Sequence, residues 1–133
     1  PTCASWGYEN RTVAIRIPES PPIARRIEHR VAGADANPYL VLATILAGAL
    51  YGIENKLMPP APITGDAYAE ENQDLVLPNK WDDATEIFSG SEVLRHYLGD
   101  EFVRVFTAAK RQEQRKLHAQ ISDIEYQSYL GFL

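Results

Sequence analysis

Two hydrophobic periods divide this chain. From Arg11 to Ile17, and again from Arg25 to Val31, β-branched and other apolar residues interleave with arginines in the two-residue alternation of a half-buried strand. The first run stops at Pro18 and the second near Gly33. Between them Glu19-Ser-Pro-Pro-Ile23 is too short for a parallel crossover and too rich in proline for a helix, so the pattern predicts an antiparallel β-hairpin. After the hairpin the period lengthens. Asn37-Pro38 has the form of a helix N-cap followed by proline at the first helical position, and Tyr39 to Lys56 then runs almost without a polar residue before Glu54. This predicts a helix buried on most sides, with Gly48 and Gly52 leaving a smooth stripe for another backbone.

Met58-Pro-Pro-Ala-Pro62 ends that helix, and residues 64–80 carry Gly65, Asp66, Glu70, Glu71, Asn72, Asp74 and Pro78 with no sustained period. They read as an irregular acidic loop whose scattered carboxylates fit solvation better than metal ligation. From Trp81 the pattern is helical, with helices expected over 82–88, 91–98, 101 to about 120, and 123–130. Ser89 with Glu92 and Ser122 with Glu125 both have the spacing of a capping box. In the long helix Phe102, Val105, Phe106 and Ala109 form the expected apolar stripe, and Lys110 to Lys116 a charged, solvated end. The fold class is α+β: an antiparallel hairpin, a buried helix and a helical C-terminal tail.

Composition narrows the class. With 133 residues, 45% hydrophobic and 23% charged, the chain suits one domain with its own core. A single cysteine, Cys3, rules out an internal disulfide and leaves a thiolate metal site without a second ligand, which suits a reducing, cytoplasmic home. The longest apolar run, Pro38 to Ile53, falls short of the roughly 20 residues that span a bilayer, so no membrane partner is expected. The chain opens on Pro1 and the first predicted element follows at once; this reads as a fragment, with a processed whole protein as the other reading.

Charge is unevenly spread. Within residues 10–30, Arg11, Arg16, Arg25, Arg26 and Arg30 against Glu19 and Glu28 give +3, whereas the whole chain is −5 and the remainder therefore −8. A basic spot in an acidic protein points to one concave anion site rather than a nucleic-acid surface, which would spread Lys and Arg over a face. Strand alternation puts Arg26, Glu28 and Arg30 on one side and Arg25, Ile27, His29 and Val31 on the other. Two readings follow: an ion-pair ladder that only stabilises the sheet, or a polyphosphate site. Arg11 and Arg16 add charge that Glu28 and Glu19 leave uncompensated, and arginine's planar fork grips phosphate oxygens bidentately, so the second is preferred. Glu28 would then hold a Mg²⁺ or Mn²⁺ accompanying a nucleotide, although one carboxylate does not complete such a site. No glycine-rich phosphate loop is present. His29 is expected to face the core or a neighbouring segment, and His96 and His118 to be surface residues on helices.

Asn10-Arg-Thr-Val-Ala-Ile-Arg-Ile-Pro18, Ala24-Arg-Arg-Ile-Glu-His-Arg30, Gly33-Ala-Asp-Ala-Asn-Pro-Tyr-Leu40 and Gly52-Ile-Glu-Asn-Lys56, in that order, resemble the C-terminal part of the glutamine synthetase catalytic domain. Ile-Glu-His-Arg followed by Ala-Gly-Ala-Asp-Ala-Asn-Pro-Tyr looks closer to the γ-glutamylpolyamine (γ-glutamylputrescine) synthetase branch than to the ammonia-using enzymes. The resemblance implies an ATP-dependent ligase, requiring Mg²⁺ or Mn²⁺, that phosphorylates the γ-carboxylate of glutamate and lets an amine displace the phosphate. It also implies roles: Arg11 at the ATP phosphates and the reacting end of glutamate, Arg16 and Arg26 at the nucleotide, Glu28 at one metal ion, and Arg30 on the glutamate or acyl-phosphate side. Ile23 stands where the family often has a lysine, which puts an ATP contact there in doubt. By the same resemblance the family's remaining metal ligands, its N-terminal β-grasp domain and its shielding loop glutamate fall before Pro1. The fragment alone should then be inactive, and the parent should be a homo-oligomeric ring. A glutamine synthetase using ammonia, and a non-catalytic nucleotide-binding or scaffold domain of the same fold, are the alternatives.

Overall fold

The structure, a computed structural model, describes residues 1–69 and 76–131. It divides into two units, Pro1–Asn79 and Lys80–Leu133. In the first, β1 (Trp6–Tyr8), β2 (Ile15–Ile17) and β3 (Glu28–His29) form a three-stranded sheet in the order β1-β2-β3. The predicted hairpin is present, since β2 and β3 pair antiparallel with Ile15 opposite His29 and Arg16 opposite Glu28. The sheet is nevertheless mixed, because β1 adds to β2 in parallel, with Gly7 opposite Arg16.

The strands are also shorter than the alternation predicted. Residues 11–14 bend instead, because the Asn10 side-chain oxygen accepts from both the backbone N–H and the hydroxyl of Thr12 and so competes with a sheet ladder. Pro18 closes β2, and the prolines of the link form a single 3₁₀ turn, Pro22–Ala24. The core here is small: Cys3, Ser5, Val13, Ala14, Ala47 and Ala67 are buried. His29 is exposed rather than turned inward, since β3 is only two residues long and nothing described covers its outer face.

The helix α1 (Pro38–Glu54) begins as predicted, with the Asn37 side chain accepting from the N–H groups of Tyr39 and Leu40 and Pro38 at the first position. Its predicted burial is not found. Only Ala47 is buried, and Tyr39, Leu42, Leu46, Leu50 and Ile53 are exposed. A Cβ added at Gly48 or Gly52 would meet nothing within 4 Å, so no backbone packs on that stripe among the described residues. Of the acidic loop, Glu70, Glu71, Asn72 and Asp74 lie outside the described residues.

The second unit is helical: α2 (Trp81–Gly90), α3 (Glu92–Leu98), α4 (Asp100–His118) and α5 (Asp123–Leu130). The capping box at Ser122 and Glu125 forms as predicted. The other does not: Ser89 lies inside α2 and its hydroxyl donates to the Glu86 carbonyl, while Ser91 caps α3 by accepting from the Leu94 N–H. The buried stripe of α4 is also rotated from the predicted one. Val103, Thr107 and Gln114 are buried, whereas Val105 and Ala109 are exposed. Gln114 is accommodated because its Nε2 donates to Thr85 Oγ1 of α2 at 2.8 Å, and Phe88 and Phe106 pack at 5.1 Å between centroids along the same contact. His96 and His118 are exposed, as predicted.

Candidate active site

The antiparallel register sets Arg16 directly across from Glu28, and their side chains meet: Arg16 Nη1 donates to Glu28 Oε2 at 3.0 Å. Arg26 stands two residues before Glu28, which in extended chain is the same side, and its Nη2 donates to Glu28 Oε1 at 3.2 Å. The predicted carboxylate between two guanidinium groups therefore exists, with Arg16 where alternation had set Arg30. Arg30 follows the last residue of β3 and is held differently: its backbone N–H donates to the Ala14 carbonyl at 2.8 Å, and its Nη1 to the Val13 carbonyl at 3.3 Å. Arg11 lies in the bend before β2, which removes the conflict of facing that a five-residue spacing on one strand would create, and it is exposed.

Sequence reasoning missed Glu9. Arg16 Nη2 donates to Glu9 Oε2 at 2.7 Å, so this guanidinium is bracketed by two carboxylates and does not add the uncompensated charge expected of it. The second oxygen, Glu9 Oε1, accepts the backbone N–H of Glu19. That hydrogen bond first, and then the one from Arg16, hold the Glu9 carboxyl below its ordinary pKa; in turn the bond to Glu9 is the largest influence raising the Arg16 pKa. Glu9 carries φ +51°, a left-handed conformation uncommon for a side chain of this kind. The only sequence hint was Trp6-Gly-Tyr8, two aromatics flanking a glycine, too short a run to announce the parallel strand that brings Glu9 alongside Arg16.

Two features fit an anion carrying several charges. Among the described residues Arg11, Arg25 and Arg30 make no salt bridge, although Arg11 acts on the Glu9 carboxylate through space, so this stretch keeps an excess of positive charge beyond the pairing of Arg16 and Arg26. Arg16 Nε is closed off from water and has no hydrogen-bond partner among the described residues, a donor left in hand. A divalent cation is less well provided for. Glu28 is partly exposed, and each of its oxygens keeps a lone pair beyond the one taken by arginine, so it suits a hard cation as one ligand. No group of three or more His, Cys, Asp and Glu side chains that could hold a metal comes together among the described residues. An open depression of about 500 Å³ lies beside the cluster, lined by Tyr8, Glu9, Glu19 and Arg25 among others; Arg16, Arg26 and Glu28 do not line it. The ion-pair geometry rather than the depression defines the site.

The family profile described as "Glutamine synthetase, catalytic domain" matches residues 1–129. The chain is 44% identical over 125 residues to gamma-glutamylputrescine synthetase PuuA of Escherichia coli (strain K12), an alignment covering 94% of this chain and 26% of that protein. It is 41% identical over 136 residues to type-1 glutamine synthetase 2 of Dictyostelium discoideum, across 100% of this chain and 26% of the relative. Among solved structures, one described as apo GmaS without ligand superposes with a TM-score of 0.80 at 33% identity, over 98% of this chain and 30% of that one. The chain thus spans about a quarter of the length of these curated relatives. No helix among the described residues is long and apolar enough to cross a membrane. By profile, by identity and by fold, the chain belongs to the glutamine synthetase family of ligases and corresponds to part of its catalytic domain.

Proposed function

We propose that residues 1–133 form the C-terminal part of the catalytic domain of an ATP-dependent glutamate–amine ligase, acting through a γ-glutamyl phosphate, with putrescine or a related polyamine as the amine. The observation that carries this reading is the convergence of Arg16 and Arg26 on Glu28, within a stretch of chain whose arginines outnumber its carboxylates. Phosphoryl transfer is catalysed chiefly by positioned positive charge, and fixed guanidinium groups act without having to reorganise. Arg16 and Arg26 contact the nucleotide, Arg11 the phosphates and the reacting carboxylate of glutamate, and Arg30 the glutamate or acyl-phosphate side. Glu28 is one ligand of a Mg²⁺ or Mn²⁺ ion, which when bound supplies charge neutralisation at the phosphates. The remaining ligands come from other parts of the parent protein, which we place in the cytoplasm as a homo-oligomeric ring with neither nucleic acid nor membrane as partner.

The identity to gamma-glutamylputrescine synthetase PuuA supports the polyamine, and the similar identity to type-1 glutamine synthetase 2 supports ammonia as the second reading. Full-length protein given glutamate, ATP and either putrescine or ammonium should release phosphate with putrescine. Release with ammonium alone rejects the polyamine, and release with neither rejects the ligase. Arg16→Ala and Glu28→Ala should each lower the productive rate by about 10²-fold or more, the usual loss on removing a group that stabilises transition-state charge.

A further inference from the structure

Glu9 has two bonds to make and the chemistry to make both. It lies just past β1, where its own backbone N–H donates to the Ile17 carbonyl at 3.1 Å. That bond fixes its position against the strand bearing Arg16. One carboxylate oxygen then takes Arg16 Nη2 at 2.7 Å and the other the Glu19 backbone N–H, at the point where the chain leaves β2. Only a carboxylate can do this, because both partners are donors; a glutamine would have to turn its NH₂ toward one of them. The left-handed backbone of Glu9 shows that this placement is kept at a conformational disadvantage.

On the opposite side, among the described residues, Arg16 is held by Glu28, the residue assigned above to the cation. When Glu28 shares its oxygens with that cation, Glu9 is left, among the described residues, as the carboxylate devoted to the guanidinium. We propose that Glu9 is a positioning residue, which locks Arg16 into the orientation needed for charge stabilisation in the transition state. This rests on the reading of Arg16 as a nucleotide contact. Its kinetic signature is distinctive. Glu9 is also a negative charge beside a polyanion site, so its neutralisation leaves ground-state nucleotide binding as tight or tighter, while a loosened guanidinium serves the transition state less well.

The test uses full-length protein carrying Glu9→Gln, Arg16→Ala and both together, with turnover measured alongside calorimetric titration by the β,γ-imido analogue of ATP with Mg²⁺. Glu9→Gln should lower kcat on the order of tenfold, the scale of one charge-assisted hydrogen bond, while the analogue binds within threefold of wild type or tighter. On the Arg16→Ala background it should have no further effect on kcat, because its target is gone. Independent, multiplying effects of the two substitutions, or unchanged kcat in Glu9→Gln, would overturn the inference. If Arg16→Ala leaves analogue binding intact, the nucleotide role of Arg16 fails instead, so the two failures are told apart. Should Glu9→Gln melt before assay, Glu9→Asp keeps the charge but is one methylene short of Arg16, and it must show the same lowered kcat with analogue binding retained.

Discussion

Gly7 shows how a single residue constrains the site. It pairs with Arg16 in the parallel β1–β2 ladder, and on its other side the chain at Ile63 closes in, with the Ile63 N–H donating to the Trp6 carbonyl at 2.9 Å. A Cβ on Gly7 would lie 2.6 Å from the Ile63 carbonyl oxygen, a backbone atom unable to swing aside. Gly7→Ala should therefore lower the unfolding free energy by about 1–3 kcal/mol, the range for a forced overpacking, and urea denaturation checks it. An unchanged midpoint would mean that β1 and the Ile63 segment part freely. At this scale Arg16, Arg26 and Glu28 were legible in the sequence because alternation and a short link bring them together locally. Glu9 was not, because its partner is reached through a parallel pairing that no local pattern announces.

Among the elements, the terminal helix α5 makes a clean test of a charge effect. Glu125 reaches back to the backbone N–H of Ser122 at 2.8 Å and to its hydroxyl, and these bonds, the backbone one first, depress its pKa in the folded state. The stabilisation it contributes is thus complete above the unfolded glutamate value, about 4.3, and is lost as pH falls through the lower folded value. Amide hydrogen exchange at the start of α5 should accelerate as pH drops below about 4, beyond the intrinsic change, and Glu125→Ala should abolish that dependence. Exchange that ignores Glu125 would remove the capping box from the account. This motif was readable because both partners lie within one turn. The buried face of α4 was not: two of its inward residues, Thr107 and Gln114, are polar, and Gln114 is tolerated only because Thr85, 29 residues earlier, receives its amide. Apolar periodicity alone then rotates the stripe toward Val105 and Ala109.

For the molecule as a whole, an incomplete cation site and an uncovered α1 belong together. Its apolar side chains Leu42, Leu46 and Leu50 are exposed, Glu28 belongs to no group of three or more metal-ligating side chains among the described residues, and the chain spans 26% of each of two relatives. The 133-residue chain by itself should accordingly show no amine-dependent phosphate release from ATP and glutamate, and coupled-enzyme turnover above background would refute the proposal that the parent's other ligands are needed. The sequence by itself determined the helix starts at Asn37 and Ser122, the β2–β3 pairing and the arginine-rich motif, all of them set by capping, proline and alternation within a few residues. Tertiary structure alone decided the parallel strand, the bracketing of Arg16 by Glu9 and the inward face of α4. Each depends on which distant segment supplies a hydrogen-bond partner, and periodicity does not encode that choice.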